Sequence, residues 1–220
     1  MPGNVRSALH LQGHMKNPAP LLATALLLAA NAHAASEAML NTSTLIVGYV
    51  VGTAGWTFQP QADISVTALG CFTNVLYVSS QPISVGLWAS DGTLLASNSI
   101  TSGSLLVDQT LYQSIAAVSL SLGQTYYIGA ISSAGIIVGP ALDGEHGSAT
   151  MAPEIQLGLL AYETNAPVFA FPSLTQGLPG SAFLAPNFEF SVVPEPSILC
   201  LISMGASGVL IERRRRAQAH

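Results

Sequence analysis

Residues 36–193 never sustain an apolar repeat at helical spacing. Short stretches instead read as extended chain, cut by Gly, Pro, Ser, Thr and Asn at roughly ten-residue intervals. Trp56-Thr57-Phe58 alternates large with small. The stretch 64–69 places Ile64, Val66 and Ala68 on one face of a strand, and 83–88 does the same with Ile83, Val85 and Leu87. Ser90-Asp91-Gly92-Thr93 then predicts a turn, because glycine tolerates positive φ, and Leu94-Leu95-Ala96-Ser97 resumes extended structure. Further strands are expected over 115–120, 125–131, 155–162 and 187–192, with Gly123-Gln124 as a hairpin-like break between two of them. The least regular stretch, 135–185, carries five prolines and is expected to hold one or two strands and long loops. This pattern predicts an all-β fold, an antiparallel β-sandwich of jelly-roll type. Its last strand, Phe188-Glu189-Phe190, is expected to pair back near the first.

Charge narrows the partners. Residues 36–193 contain no Lys or Arg but nine acids: Glu37, Asp63, Asp91, Asp108, Asp143, Glu145, Glu154, Glu163 and Glu189. Nucleic-acid affinity comes mainly from cationic side chains that neutralise phosphates, so nucleic-acid binding is excluded. The chain is half hydrophobic, which excludes a disordered, solvating polymer.

Both ends carry addresses. Lys16 precedes an apolar run over 21–30, and Ala32-His33-Ala34 supplies a small-x-small site. That order reads as a secretory signal peptide over 1–34, cleaved after Ala34, with Met15 as an alternative start giving a signal of ordinary length. The run has about half the ~20 apolar residues that a spanning helix needs.

At the other end, Val193-Pro194-Glu195-Pro196-Ser197 precedes a largely apolar stretch, 198–211, then Glu212 and four consecutive arginines, Arg213, Arg214, Arg215 and Arg216. A helix of that length reaches about 21 Å, short of the ~30 Å hydrocarbon core, and snorkelling arginines make up part of the difference. Basic residues favour the cytoplasmic side, leaving the body outside the inner membrane. The triplet, short helix and basic tail resemble the PEP-CTERM sorting signal of exopolysaccharide-producing Gram-negative bacteria. The resemblance covers 193–220. It implies recognition of Pro194, Glu195 and Pro196 by exosortase, a membrane-embedded cysteine transpeptidase, after which the tail is removed and the protein reaches the cell surface or matrix.

The body, 35–192, is in turn similar, over most of residues 50 to 192, to a domain recurring in PEP-CTERM proteins and other bacterial surface proteins. The matching residues are Gly55-Trp56-Thr57-Phe58, Asp63-Ile64-Ser65-Val66-Thr67-Ala68-Leu69-Gly70, Val85-Gly86-Leu87-Trp88 with Asp91-Gly92-Thr93-Leu94-Leu95-Ala96, Gly123-Gln124-Thr125-Tyr126, and Pro186-Asn187-Phe188-Glu189-Phe190. That resemblance implies a β-sandwich without an assigned activity.

Catalytic equipment is sparse. His146 is the sole histidine between the two signals, and the body holds no G-x-S-x-G elbow. Cys71 has no partner within the body, since Cys200 lies in the C-terminal apolar stretch, and it reads as a small buried thiol. Asp143-Gly144-Glu145-His146-Gly147 is the most reactive-looking cluster. Asp143 and Glu145 are the candidate ligands should the body bind a calcium ion, although the spacing matches no EF-hand loop and a solvated loop is the plainer expectation. The remaining acids are expected to cap turns or face water. Trp56, Trp88, Tyr126, Tyr127 and Tyr162 could stack on sugar rings if they faced outward, but aromatics in sandwiches more often serve as core. The expected protein has no cofactor. It is an exported, non-enzymatic surface or matrix protein that meets the secretion machinery, exosortase and, through 198–211, the inner membrane. Exopolysaccharide is a candidate partner, and the alternative role is a carbohydrate-binding module for it.

Overall fold

A computed structural model of the chain describes residues 35–41, 45–49, 52–72, 82–132, 136–140, 149–163, 168–177 and 185–194. The strands in chain order are β1 (Ser36–Glu37), β2 (Met39–Asn41), β3 (Leu45–Tyr49), β4 (Ala54–Pro60), β5 (Ile64–Phe72), β6 (Ile83–Ala89), β7 (Leu94–Ile100) and β8 (Leu105–Val107). They continue as β9 (Thr110–Leu120), β10 (Tyr126–Ser132), β11 (Ile136–Pro140), β12 (Ala149–Met151), β13 (Ile155–Tyr162), β14 (Leu174–Gln176) and β15 (Pro186–Val192). No helix occurs among the described residues.

Two antiparallel sheets dominate. One has five strands in the order β1-β15-β5-β9-β8, the other six in the order β14-β13-β4-β10-β6-β7. Two smaller pairs, β11 with β3 and β12 with β2, complete the described ladders. The large sheets face each other over a shared apolar core, as in a sandwich. Trp56 and Phe58 project from β4, Val85 and Leu87 from β6, and Ile128 from β10. Opposite them lie Ile64, Val66 and Leu69 of β5 with Phe188 and Phe190 of β15, all fully buried. Phe188 is 6.0 Å from Trp56 and 4.8 Å from Phe58 between ring centroids, so the aromatic contacts cross from one sheet to the other.

The last strand does return to the first: Glu189 sits directly opposite Glu37. The Ser90–Thr93 turn forms as expected. Gly92 adopts φ +87°, and Thr93 N donates to Asp91 Oδ1 at 2.9 Å. Three expectations are corrected. Ala68 does not share a face with Ile64 and Val66, because β5 bulges between Val66 and Ala68. One extra residue, Thr67, shifts the alternation, so Ala68 pairs with Glu189 on the outer face while Leu69 and Cys71 turn inward. Gly123-Gln124 is not a hairpin, since β9 belongs to the five-stranded sheet and β10 to the six-stranded one. Gly123 carries the chain between sheets with φ +71°, and its N–H donates to Pro60 O at 2.8 Å. The proline-rich stretch 135–185 holds four described strands, β11 to β14, not one or two.

The expected flanking helices, over 1–34 and 198–211, lie outside the described residues. The five-stranded sheet ends at Val193, whose N–H donates to Asp63 O at 2.8 Å, and exposed Pro194 follows.

Candidate functional site

The six-stranded sheet opens into a cleft where β13 meets β4. Leu157 pairs with Phe58 and Leu160 with Trp56, so β13 carries one extra residue and bulges there. Thr57 fastens the bulge, its Oγ1 accepting from Leu159 N at 2.7 Å. Gly158 lies against that hydroxyl, and a side chain at this position would collide with it. The cleft has a volume of about 250 Å³ and is lined by Thr57, Gln59, Thr125, Gln156, Gly158 and Leu159, with the neighbouring Phe58 and Leu157. Its walls carry no ionisable side chain. Gln59 Nε2 donates to Thr125 Oγ1 at 3.0 Å, and Gln61 Nε2 donates to Gln156 Oε1 at 3.1 Å. Each bond fixes one half of an amide, leaving Gln59 Oε1 and Gln156 Nε2 without a partner among the described residues. Chemically the cleft offers neutral donors and acceptors beside an apolar flank.

A second polar group lies on the outer face of the five-stranded sheet. Tyr112 of β9 lies across Gly70 of β5. Its hydroxyl accepts from Asn187 Nδ2 at 2.7 Å and donates to Glu37 Oε2 at 3.1 Å. Glu37 and Glu189 form a directly opposed cross-strand pair of like charge. Burial is the main cause holding Glu37 above the usual carboxylate range; the Tyr112 bond opposes it, and the charges of Asp108 and Glu189 add to it. Burial alone raises Glu189. Burial first, then the Glu37 charge, drives the Tyr112 ionisation far up, so this phenol stays a neutral donor.

Raised carboxyls stabilise the fold below their ordinary pKa, and that contribution is lost as pH climbs through the raised values. The melting midpoint is therefore expected to rise as pH falls from about 7 to about 5. Asp91 acts in the opposite sense. The Thr93 N–H holds it below the ordinary value of 3.8, so its contribution disappears in stronger acid. Glu189→Gln should raise the midpoint at neutral pH by ~1–3 °C, the scale of one relieved cross-strand repulsion. It should also flatten the pH slope. Calorimetry across pH tests this, and a lower midpoint with an unchanged slope would contradict it.

The residues singled out by sequence fare differently. Pro194 is described and exposed. Ala32, Ala34, Glu195, Pro196, Arg213, Arg214, Arg215 and Arg216 lie outside the described residues, as do Asp143, Glu145 and His146. Among the described residues no three His, Cys, Asp or Glu side chains come together to hold a metal ion. Cys71 is buried, and burial pushes its thiol up to about 12, which suits packing and disarms it as a nucleophile. The turn-capping expectation holds for Asp91 and for Asp63, whose Oδ1 accepts from Leu122 N at 2.8 Å.

Trp56 is core. Trp88 is only 3% exposed, yet it faces the opposite side of its sheet from Val85 and Leu87. Residues 168–173 cross that side, bringing Phe169 to 5.3 Å and Phe171 to 6.4 Å from the indole. Phe171 also meets Tyr127 edge-on at 4.8 Å. Thr53 ties this crossing down, its Oγ1 accepting from Ala170 N at 3.1 Å. Trp88 therefore has no free face for a sugar ring. The amide cleft and the Glu37–Glu189 pair carried no local motif; each depends on which strands become neighbours.

No family model and no curated protein matches the chain. Among solved structures it is similar to the VP2 subviral particle of infectious bursal disease virus, at 12% identity and a TM-score of 0.25, over 83% of this chain and 49% of that one. A second similarity is to T=1 particles derived from infectious bursal virus, at 10% identity and a TM-score of 0.24, over 83% of this chain and 48% of that one. The chain thus spans about half the length of the structures it matches. Similarities this faint decide neither fold nor function.

Proposed function

We propose that the chain is an exported, non-enzymatic protein of the cell surface or extracellular matrix, released through its C-terminal sorting signal. One observation carries this reading: Pro194-Glu195-Pro196, the short apolar stretch 198–211 and Arg213 to Arg216 follow one another in the order such a signal requires, with a secretory signal at the opposite end. Exosortase and the secretion machinery are its partners in transit, and the inner membrane holds the precursor through 198–211. For the body we infer a jelly roll. Numbering β1, β4, β5, β6, β7, β9, β10 and β15 from 1 to 8 gives 1-8-3-6 in one sheet and 2-7-4-5 in the other, the order of two interlocked Greek keys. In this reading β13 and β14 extend one edge.

The test compares the wild-type chain with a variant carrying alanine at Pro194, Glu195 and Pro196, expressed in a host that has exosortase. Wild type is expected outside the inner membrane without Arg213 to Arg216. The variant is expected in the membrane fraction with them. Equal distribution of both would refute the sorting role.

A second reading, a carbohydrate-binding module for the producer's exopolysaccharide, is favoured by the uncharged, amide-lined cleft at the β13 bulge. It no longer leans on Trp88.

A further inference from the structure

Three properties of the β4–β13 cleft restrict what can occupy it. Its side chains are neutral, its amides are half satisfied and held in place by their other halves, and no Lys or Arg exists anywhere in residues 36–193. A carboxylate or phosphate entering the cleft would lose hydration without meeting a counter-charge, which is costly. It would also approach a body carrying nine acids. A wholly apolar ligand would cover Gln59 Oε1 and Gln156 Nε2 without bonding to them, leaving polar groups unsatisfied. Hydroxyl groups meet both demands, because each one donates and accepts.

We infer that this cleft binds a neutral polyhydroxylated unit, one uncharged pyranose within a glycan. The cleft volume of about 250 Å³ is on the small side for a ligand site and open to solvent, which suits one ring of a glycan whose remainder lies outside it. Vicinal hydroxyls bridge Gln59 Oε1 and Gln156 Nε2, with the Thr125 hydroxyl beside them. Exposed Leu159 presents apolar surface to the C–H face of the ring. The two existing amide bonds pre-set the rotamers, so little side-chain order is lost on binding. This inference rests on the carbohydrate-binding reading and names its site and sugar class; it is independent of export.

The test is a titration of the purified, ¹⁵N-labelled full chain with D-glucose, D-galactose and D-glucuronate, followed by amide NMR. The neutral hexoses are expected to shift Thr57, Gln59, Thr125 and residues 156–159, while glucuronate at equal concentration leaves them in place. Gln156→Ala alters an exposed side chain and so leaves folding intact. It should weaken hexose binding roughly 3- to 10-fold, the effect of one neutral hydrogen bond. Thr125→Val provides a second, independent variant expected to act in the same direction. Hexose shifts that lie elsewhere, or that survive both variants unchanged, would overturn the cleft as the site while leaving the carbohydrate-binding reading intact. Equal response to glucuronate would overturn the neutral class. No response to any sugar would overturn the inference and the carbohydrate-binding reading together.

Discussion

Asn187→Leu is expected to destabilise the body by about 3–5 kcal/mol, because it strands several buried backbone groups at once. Asn187 is fully buried and makes four hydrogen bonds. Its Oδ1 accepts from Met39 N at 3.1 Å and Phe188 N at 2.9 Å, while Nδ2 donates to Met39 O at 2.9 Å and Tyr112 Oη at 2.7 Å. The side chain behaves as a short additional strand. Where β1 stops pairing with β15 after Glu37, the amide of Asn187 takes over both polar groups of Met39. Leucine fills the same space but leaves those groups dehydrated and unbonded. The expected fall in melting midpoint is ~10 °C, at roughly 2–4 °C per kcal/mol for a domain of this size. A loss below about 1 kcal/mol in urea unfolding would show that water replaces the amide, and that the chain entry over Glu37 and Met39 does not depend on it.

Trp56→Ala should cost a similar amount, ~3–5 kcal/mol, for a different reason. The indole is fully buried between the sheets, with its centroid 5.4 Å from Phe58 and 6.0 Å from Phe188. Its Nε1–H donates across the gap to Pro186 O at 2.9 Å. Alanine removes the area and the cross-sheet hydrogen bond together, and leaves a void that close-packed aromatic neighbours cannot fill. Trp56→Phe separates the two contributions. It keeps most of the ring and loses the bond, so about 1–2 kcal/mol is expected. If the alanine and phenylalanine variants unfolded at the same urea concentration, packing between the sheets would not be what holds them together.

Strand existence was readable wherever a segment's own residues alternate, as at Trp56-Thr57-Phe58 or Ile83-Ser84-Val85-Gly86-Leu87. What escaped the sequence depends on partners. The Thr67 bulge arises from mismatch between β5 and its neighbours, so no local pattern announces that Leu69 and Cys71 replace Ala68 on the inner face. Asn187 reads as an ordinary polar residue at the start of a strand, and becomes structural only because Met39, far away in sequence, lies beside it. Trp88 looked like core and is buried, yet under Phe169 and Phe171 instead of between the sheets. In the proline-rich stretch β13 matches the strand expected over 155–162, whereas β11, β12 and β14 escaped notice because each has five residues or fewer, where propensity is weak evidence. For the candidate site the position is similar. Gln59 and Gln156 belong to no motif, and β13 must bulge against β4 before their amides line one cleft. The Glu37–Glu189 opposition likewise exists only once the first strand meets the last.

The sorting role at both ends is tested most directly by the intact mass and N-terminal sequence of the protein collected outside the cell. A chain that begins at Ala35 and ends before Arg213 is the expected result. A chain found in the cytosol, with residues 1–34 and Arg213 to Arg216 still attached, would contradict it.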